Sequence, residues 1–283
     1  MSAAGPLRVR AAVLGHVEWM EFAPVDHLPA AGEIVHAIEP FALPGGGGPV
    51  AARQMALLGA DTLFLTAVGD DDLGDRTAAA LGELGLDLHV ARRAERPQRH
   101  GWTHIDAHGE RTITILGPRL APRGDDPLPW GRLADCAACF VTAGDAAAIR
   151  HARGAGVLVA TPRALPALAE ADVHVDILVG SATDPGERLD AAALHAPPGL
   201  IVRTQGGDGG TWERADGATG EWAPAPLPGP PVDSYGCGDS FAGALTVALG
   251  AGLALDDALG LAARAGAACL TGRGPYGAQL RLG

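Results

Sequence analysis

Short apolar runs alternate along this chain with longer stretches whose apolar residues recur at helical spacing. Residues 8–14 read as a buried opening strand that stops at Gly15, and 62–68, 140–142, 157–160, 177–179 and 200–204 read as further strands. Between them, 50–58 reads as a helix closed by Gly59, and 73–84 as one stopped by Gly85. Near the C-terminus, 242–249 and 256–270 are Ala-rich helices that should pack closely together. Strands alternating with helices predict a largely parallel sheet covered on both faces, a three-layer αβα arrangement.

Two regions break that alternation. Residues 16–22 mix polar and apolar side chains at period two, and 33–42 alternate well enough to read as a half-exposed strand. Residues 99–106 and 111–116 flank Ala107-His108-Gly109-Glu110, a hairpin turn. We assign these pieces to a small β lid built from about 16–44 and 98–117, carried on one α/β domain spanning 1–283. Pro44-Gly45-Gly46-Gly47-Gly48-Pro49 breaks the first lid segment, and the proline-rich 224–231 reads as a rigid connection.

Composition narrows the chemistry. A length of 283 residues suits one large domain with a small appendage, and 47% hydrophobic with 19% charged residues is ordinary globular content. A net charge of −12 argues against nucleic acid or an anionic membrane as partner. Residues 1–14 lack the long apolar core of a signal peptide, so a cytoplasmic location is expected. Lysine is absent, all 21 basic residues being arginine, which excludes a lysine nucleophile or a P-loop lysine. Cys136 and Cys139 form a Cys-x-x-Cys pair with no second pair at ligand spacing, and we expect them to be small core residues.

One stretch carries candidate chemistry. In Gly236-Cys237-Gly238-Asp239, two glycines flank a small residue and an apolar segment follows at once. A helix start of this kind exposes N–H groups to an anion such as phosphate. Asp239, in the first turn, is then placed to take a proton from a hydroxyl that attacks the anion's phosphorus. On these residues alone, a tight turn with a capping aspartate is an equal reading.

Asp233-Ser234-Tyr235-Gly236-Cys237-Gly238-Asp239-Ser240-Phe241 resembles the C-terminal signature of the ribokinase-like (PfkB-type) carbohydrate kinases, usually Asp-Thr-x-Gly-Ala-Gly-Asp-Ser-Phe. Further places resemble the same family in order. They are Pro29-Ala30-Ala31-Gly32-Glu33, the Gly45-Gly46 to Gly59-Ala60 segment, Gly69-Asp70-Asp71-Asp72-Leu73-Gly74, Thr204-Gln205-Gly206-Gly207-Asp208-Gly209, and the tail with Gly272-Arg273-Gly274. The resemblance implies a ribokinase-like fold and ATP-dependent phosphorylation of a small sugar-like alcohol. It implies Asp239 as general base and the N–H groups of Gly236, Cys237 and Gly238 as an anion hole. Thr204, Gly206, Asp208, Gly209 and Gly272 would bind the nucleotide, and Gly45, Gly46 and Gly47 would approach the acceptor. It further implies Mg²⁺ acting through water on Asp184, a K⁺-type cation beside Asp233, and a homodimer through the lid.

The departures concern the acceptor and the metal. Where the family carries a sugar-gripping Asp this chain has Met20, and where it carries an Asn it has Val50. The family's Asn-x-x-Glu is replaced by Ser181-Ala182-Thr183-Asp184. Met20 and Val50 predict a more apolar pocket. If 16–20 is extended, His16, Glu18 and Met20 share a face, so Glu18 either replaces the missing anchor or is a solvated lid residue. His100, Trp102 and His104 alternate and, with Arg99, face either a ligand, a partner subunit or solvent. Two other readings stay open on the same fold: a kinase of a nucleoside or vitamin-like heterocycle, and a ligand sensor with weak turnover. A dinucleotide oxidoreductase is disfavoured, because no early strand-Gly-x-Gly-x-x-Gly-helix is present.

Overall fold

The computed structural model describes residues 5–187 and 194–283. Residues 1–4, part of the stretch read above for a leader, lie outside the described residues. The first half of the chain forms β1 (Arg10–Leu14), β2 (Glu18–Pro24), β3 (Phe41–Gly45), α1 (Gly47–Leu57), β4 (Asp61–Gly69) and α2 (Asp72–Gly82). There follow β5 (Asp87–Arg93), β6 (His100–Ile105), β7 (Arg111–Leu116), β8 (Ala138–Val141) and α3 (Ala146–Ala152). The second half adds β9 (Val157–Ala160), α4 (Leu165–Ala171), β10 (Ile177–Ser181), β11 (Leu200–Thr204), β12 (Gly210–Arg214) and β13 (Thr219–Trp222). Two helices close it, α5 (Cys237–Gly250) and α6 (Leu255–Leu270).

The strands make two sheets. The larger has nine strands in the order β13-β12-β11-β10-β9-β8-β1-β4-β5, parallel from β11 to β5 with an antiparallel edge at β12 and β13. Helices α1, α5 and α6 cover one face and α3 and α4 the other, each sealing its own apolar core. β1 is buried because it has parallel neighbours on both sides, Leu14 lying opposite Leu65 and Val141. The strand order turns around at β1: the next parallel strand, β4, lies on one side and the later β8 on the other. Ligands of open α/β sheets bind in the crevice beyond the carboxyl ends of such a pair. The smaller sheet, β3-β2-β6-β7, stands over that crevice as a lid, on a small core of Met20, Phe22, Ile105 and Tyr235.

Local differences from the sequence expectation have physical causes. Residues 33–40 form no strand; β3 starts only at Phe41. Their alternation is not a buried face, since Ile34 and Ile38 are exposed, and both edges of β2 are taken by β3 and β6. Helix α1 begins at Gly47 rather than at 50. Pro49 fits its first turn because the N–H it lacks would have had no intrahelical partner. Cys136 and Cys139 are buried free thiols, and burial pushes Cys136 up to about 11.

Candidate active site

The crevice holds two adjoining spaces: a cleft of about 940 Å³ and a smaller cavity of about 290 Å³. Asp239 lines both, as do Arg111, Arg163, Asp184, Glu187 and Gly236. The larger space is within the size range of ligand pockets for a nucleotide-sized molecule, the smaller suits a compact one.

Helix α5 delivers Asp239. Its N-cap, Gly236, has φ 87°, a left-handed conformation that a side chain would strain, and it offers no capping side chain. Elsewhere the fold does cap: Asp71 accepts from Gly74 N at 2.8 Å ahead of α2, and Asp145 from Ala148 N at 2.8 Å ahead of α3. At α5 the Cys237 N–H makes only a long 3.5 Å bond to the Ser234 carbonyl. The first-turn donors therefore face the cleft, where the helix dipole favours an anion. A Cβ on Gly238 would meet nothing within 4 Å, so that approach is open. The Cys237 thiol is held above its ordinary range by the neighbouring Cys269 thiol and by burial.

Asp239 makes no ion pair or hydrogen bond among the described residues, and its carboxyl is pushed up to about 6, first by burial and then by Glu187. Arg111 opposes that shift. Helix α1 meets it from the other side. A Cβ on Gly47 would lie 2.6 Å from Asp239 Oδ1, so only glycine leaves the carboxylate its place. The loop before α5 is fixed from within. Asp233 is 1% exposed, and its two oxygens accept from Tyr235 N at 2.8 Å and Gly274 N at 3.0 Å. The Tyr235 hydroxyl in turn accepts from Gly46 N at 2.9 Å, tying the loop to the start of α1. Gly45 is pressed against that hydroxyl and Met20, and a Cβ there would lie within 2.6 Å of both.

The residues proposed for nucleotide divide. Thr204, Gly206 and Gly209 line the larger cleft, together with Trp222, Leu227, Ala263 and Gly266. Asp208 sits on an exposed turn outside that lining, and Gly272 is buried against Ala278. Asp184 is in the cleft wall, bonded by Arg163 at 2.6 Å. Glu187 joins it: Oε1 accepts from Arg163 Nε at 3.1 Å and Oε2 from Ser181 N at 2.8 Å. Among the described residues no three His, Cys, Asp or Glu side chains converge as a metal cage. Two carboxylates beside a phosphate-sized space still suit Mg²⁺, which keeps several waters and takes phosphate oxygens as ligands.

Glu18 lines the smaller cavity, 7% exposed, and its Oε2 accepts from Arg99 Nε at 2.6 Å. It is therefore not a solvated lid residue. His16 and Thr142 are beside it, 3.3 Å apart. Burial, with the arginines nearby, holds the His16 imidazole well below its ordinary range, so the ring is neutral. Met20 and Val50 do not line the cavity, and the apolar pocket expected from them is not there. Met20 packs into the lid core and Val50 under Gly236. Four arginines line it instead: Arg99, Arg111, Arg119 and Arg163. Arg111, Arg119, Arg163, Glu187 and Tyr235 were not singled out from sequence. A usable signal exists for Arg163, which follows the Thr161-Pro162 break directly after β9, at the carboxyl edge where sites of this fold class gather. Trp102, on the lid, is 46% exposed and lies outside both spaces.

Several solved structures with this architecture are kinases by description. Ribokinase from Thermotoga maritima superposes with a TM-score of 0.74 at 21% identity, over 94% of each chain. Arabidopsis thaliana ribokinase, solved with ribose and ATP, gives 0.71 at 21% identity, again over 94% of each. A nucleoside kinase from Methanocaldococcus jannaschii gives 0.72 at 16% identity, over 99% of this chain and 97% of that one. Those likenesses establish the fold. The sequence model of the pfkB family carbohydrate kinases matches residues 10–280, which takes in the Gly47 helix start, the Asp184 wall and the Asp239 turn alike. This chain is a member of the pfkB family.

Proposed function

We propose that the protein transfers the γ-phosphoryl group of ATP to a hydroxyl of a small sugar-like alcohol held in the smaller cavity. The observation that carries this reading is Asp239: a free carboxylate at the junction of two spaces, beside uncapped helix donors. The acceptor oxygen attacks the γ-phosphorus as the bond to the β,γ-bridging oxygen breaks; ADP leaves and the hydroxyl proton passes to Asp239. Gly236, Cys237 and Gly238 supply N–H groups to the charge on the transferring group, and Arg111 and Arg163 flank its path. Thr204, Gly206 and Gly209 would hold the nucleotide, with Asp208 and Gly272 supporting the loops behind them. Mg²⁺, when bound, offsets phosphate charge; Asp184, with Glu187, would reach it through water. A monovalent cation beside Asp233 would take lone pairs that its two backbone bonds leave free.

Glu18 and the backbone at Gly45, Gly46 and Gly47 would position the acceptor, Glu18 taking hydroxyl protons in hydrogen bonds while Arg99 holds it. We place a homodimer contact on the lid sheet, where Trp102 is exposed. A second reading, a nucleoside acceptor, gains from the fold shared with a nucleoside kinase. ADP formation measured across pentoses, hexoses, their acids and phosphates, and nucleosides decides the matter. Acceptor-dependent ADP release supports the proposal, and ligand binding with none anywhere in the panel would leave a sensor.

A further inference from the structure

The smaller cavity contains a positive charge that the fold itself does not use. Arg99 is paired with Glu18, and Arg163 with Asp184 and Glu187. Arg111 donates to the Ser234 carbonyl at 2.5 Å. Arg119 has no hydrogen bond or ion pair among the described residues, and its Nε is buried without a partner. Burial, then Arg99 and Arg163, hold its guanidinium below its ordinary range, with Glu18 opposing. Leu120, the next residue, is 3% exposed and anchors this segment without help from the arginine.

A guanidinium kept partly desolvated among like charges costs stability unless an anion joins it. ATP is a poor candidate for that anion. Arg111 and Arg163 line both spaces, whereas Arg119 and Arg99 line only the smaller one. The four carboxylates that line this cavity, Glu18, Asp184, Glu187 and Asp239, equal its four arginines in number, and Arg119 is the arginine of the four left without a partner among the described residues. Resting on the kinase reading above, we infer that the acceptor alcohol itself carries a negatively charged group, a carboxylate or a phosphate monoester, and that Arg119 binds it. Arg99, its own charge shared with Glu18, adds a second donor on the same side. Arg119 then selects acceptors by charge while Glu18 reads hydroxyls.

The test uses matched acceptors: a pentose, its aldonic acid and its 5-phosphate, and the hexose equivalents. Steady-state kcat/KM is measured for the wild type, Arg119→Gln and Arg119→Lys, with ADP formation as readout. Titration of the same compounds against protein loaded with a non-hydrolysable ATP analogue runs in parallel. One anionic set, acid or phosphate, should exceed its neutral parent by at least roughly 10-fold, a charge-assisted contact. Arg119→Gln should erase that preference by raising KM for the anion by roughly 10- to 100-fold, far more than for the neutral parent or for the nucleotide, and Arg119→Lys should restore part of it. Neutral acceptors turned over as well as their anions, with Arg119→Gln indifferent, overturn this inference and leave the kinase reading standing. Anions that bind through Arg119 without any turnover keep the inference and overturn the kinase reading. If no anion binds better than its neutral parent, the inference fails whatever the turnover.

Discussion

At the scale of single residues, the structure keeps one carboxylate at a cost. Asp239 titrates at about 6 in the fold against 3.8 ordinarily, so its charged form is less favourable folded than unfolded. For a raised carboxyl, the stability contribution is fully present below the unfolded value and lost as pH rises through the folded one. Between about pH 4 and 6 the protein should therefore lose stability through this group, and Asp239→Asn should be more stable than the parent at pH 8. The gain is on the order of 1–3 kcal/mol, the lower figure allowing for solvent reaching the carboxylate through the cleft. Thermal melts at pH 8 and pH 4 check it: Tm should rise by a few degrees at the first and hardly move at the second. A variant less stable than its parent at pH 8 would mean that the carboxylate supports the fold. Glu18 makes a different prediction, because its partner remains. Glu18→Gln should raise acceptor KM by about 10-fold or more while ATP KM stays put, and unchanged acceptor kinetics remove Glu18 from the site.

At the scale of elements, two helix starts lie side by side at Asp239, and glycine permits it on both sides. Gly47 gives Asp239 room, and Gly243 lets α5 approach α1, where a Cβ would lie 2.7 Å from the Ala51 carbonyl. Gly47→Ala adds one carbon at 2.6 Å from the Asp239 carboxylate oxygen, so the carboxylate must shift. We expect kcat to fall by roughly 10²-fold, the scale of an ångström-sized misplacement, with little change in thermal stability. Stopped or discontinuous ADP assays beside a melt separate the two; equal losses in both would point to a folding defect.

The helix at Cys237 and the Asp239 turn were legible because glycine spacing and an apolar run are local signals. So were β1, β4 and β8–β11, whose buried apolar runs need no partner to be recognised. The hairpin of β12 and β13 and the edge strand β5 were not, since half-exposed edge strands carry no continuous apolar run. Residues 33–40 show the reverse error: alternation without an available sheet edge makes no strand. Arg111, Arg119 and Arg163 were hidden for a third reason. They come from three separate loops and strand ends, and only the folded crevice brings them together.

At the scale of the whole molecule, the nine-stranded sheet sets the crevice at the carboxyl ends of its strands, and the small sheet stands over it. The lid meets the loop before α5 through Arg111, which donates to the Ser234 carbonyl, through the Gly109 carbonyl, which accepts from Ser234 N at 3.1 Å, and through Tyr235, packed in the lid core. Closing it over a bound acceptor would exclude water from the γ-phosphate and strengthen every charge interaction inside. The main claim, that Asp239 removes the acceptor's proton, is open to one direct measurement: acceptor-dependent ADP formation by the parent and by Asp239→Asn from pH 5 to 9. The parent's kcat/KM should climb tenfold per pH unit below about 6 and level off above it, tracking the carboxyl. Asp239→Asn should be slower by about 10²–10⁴-fold and show no such limb. Undiminished turnover by Asp239→Asn, or the same acid limb in both proteins, would contradict the assignment.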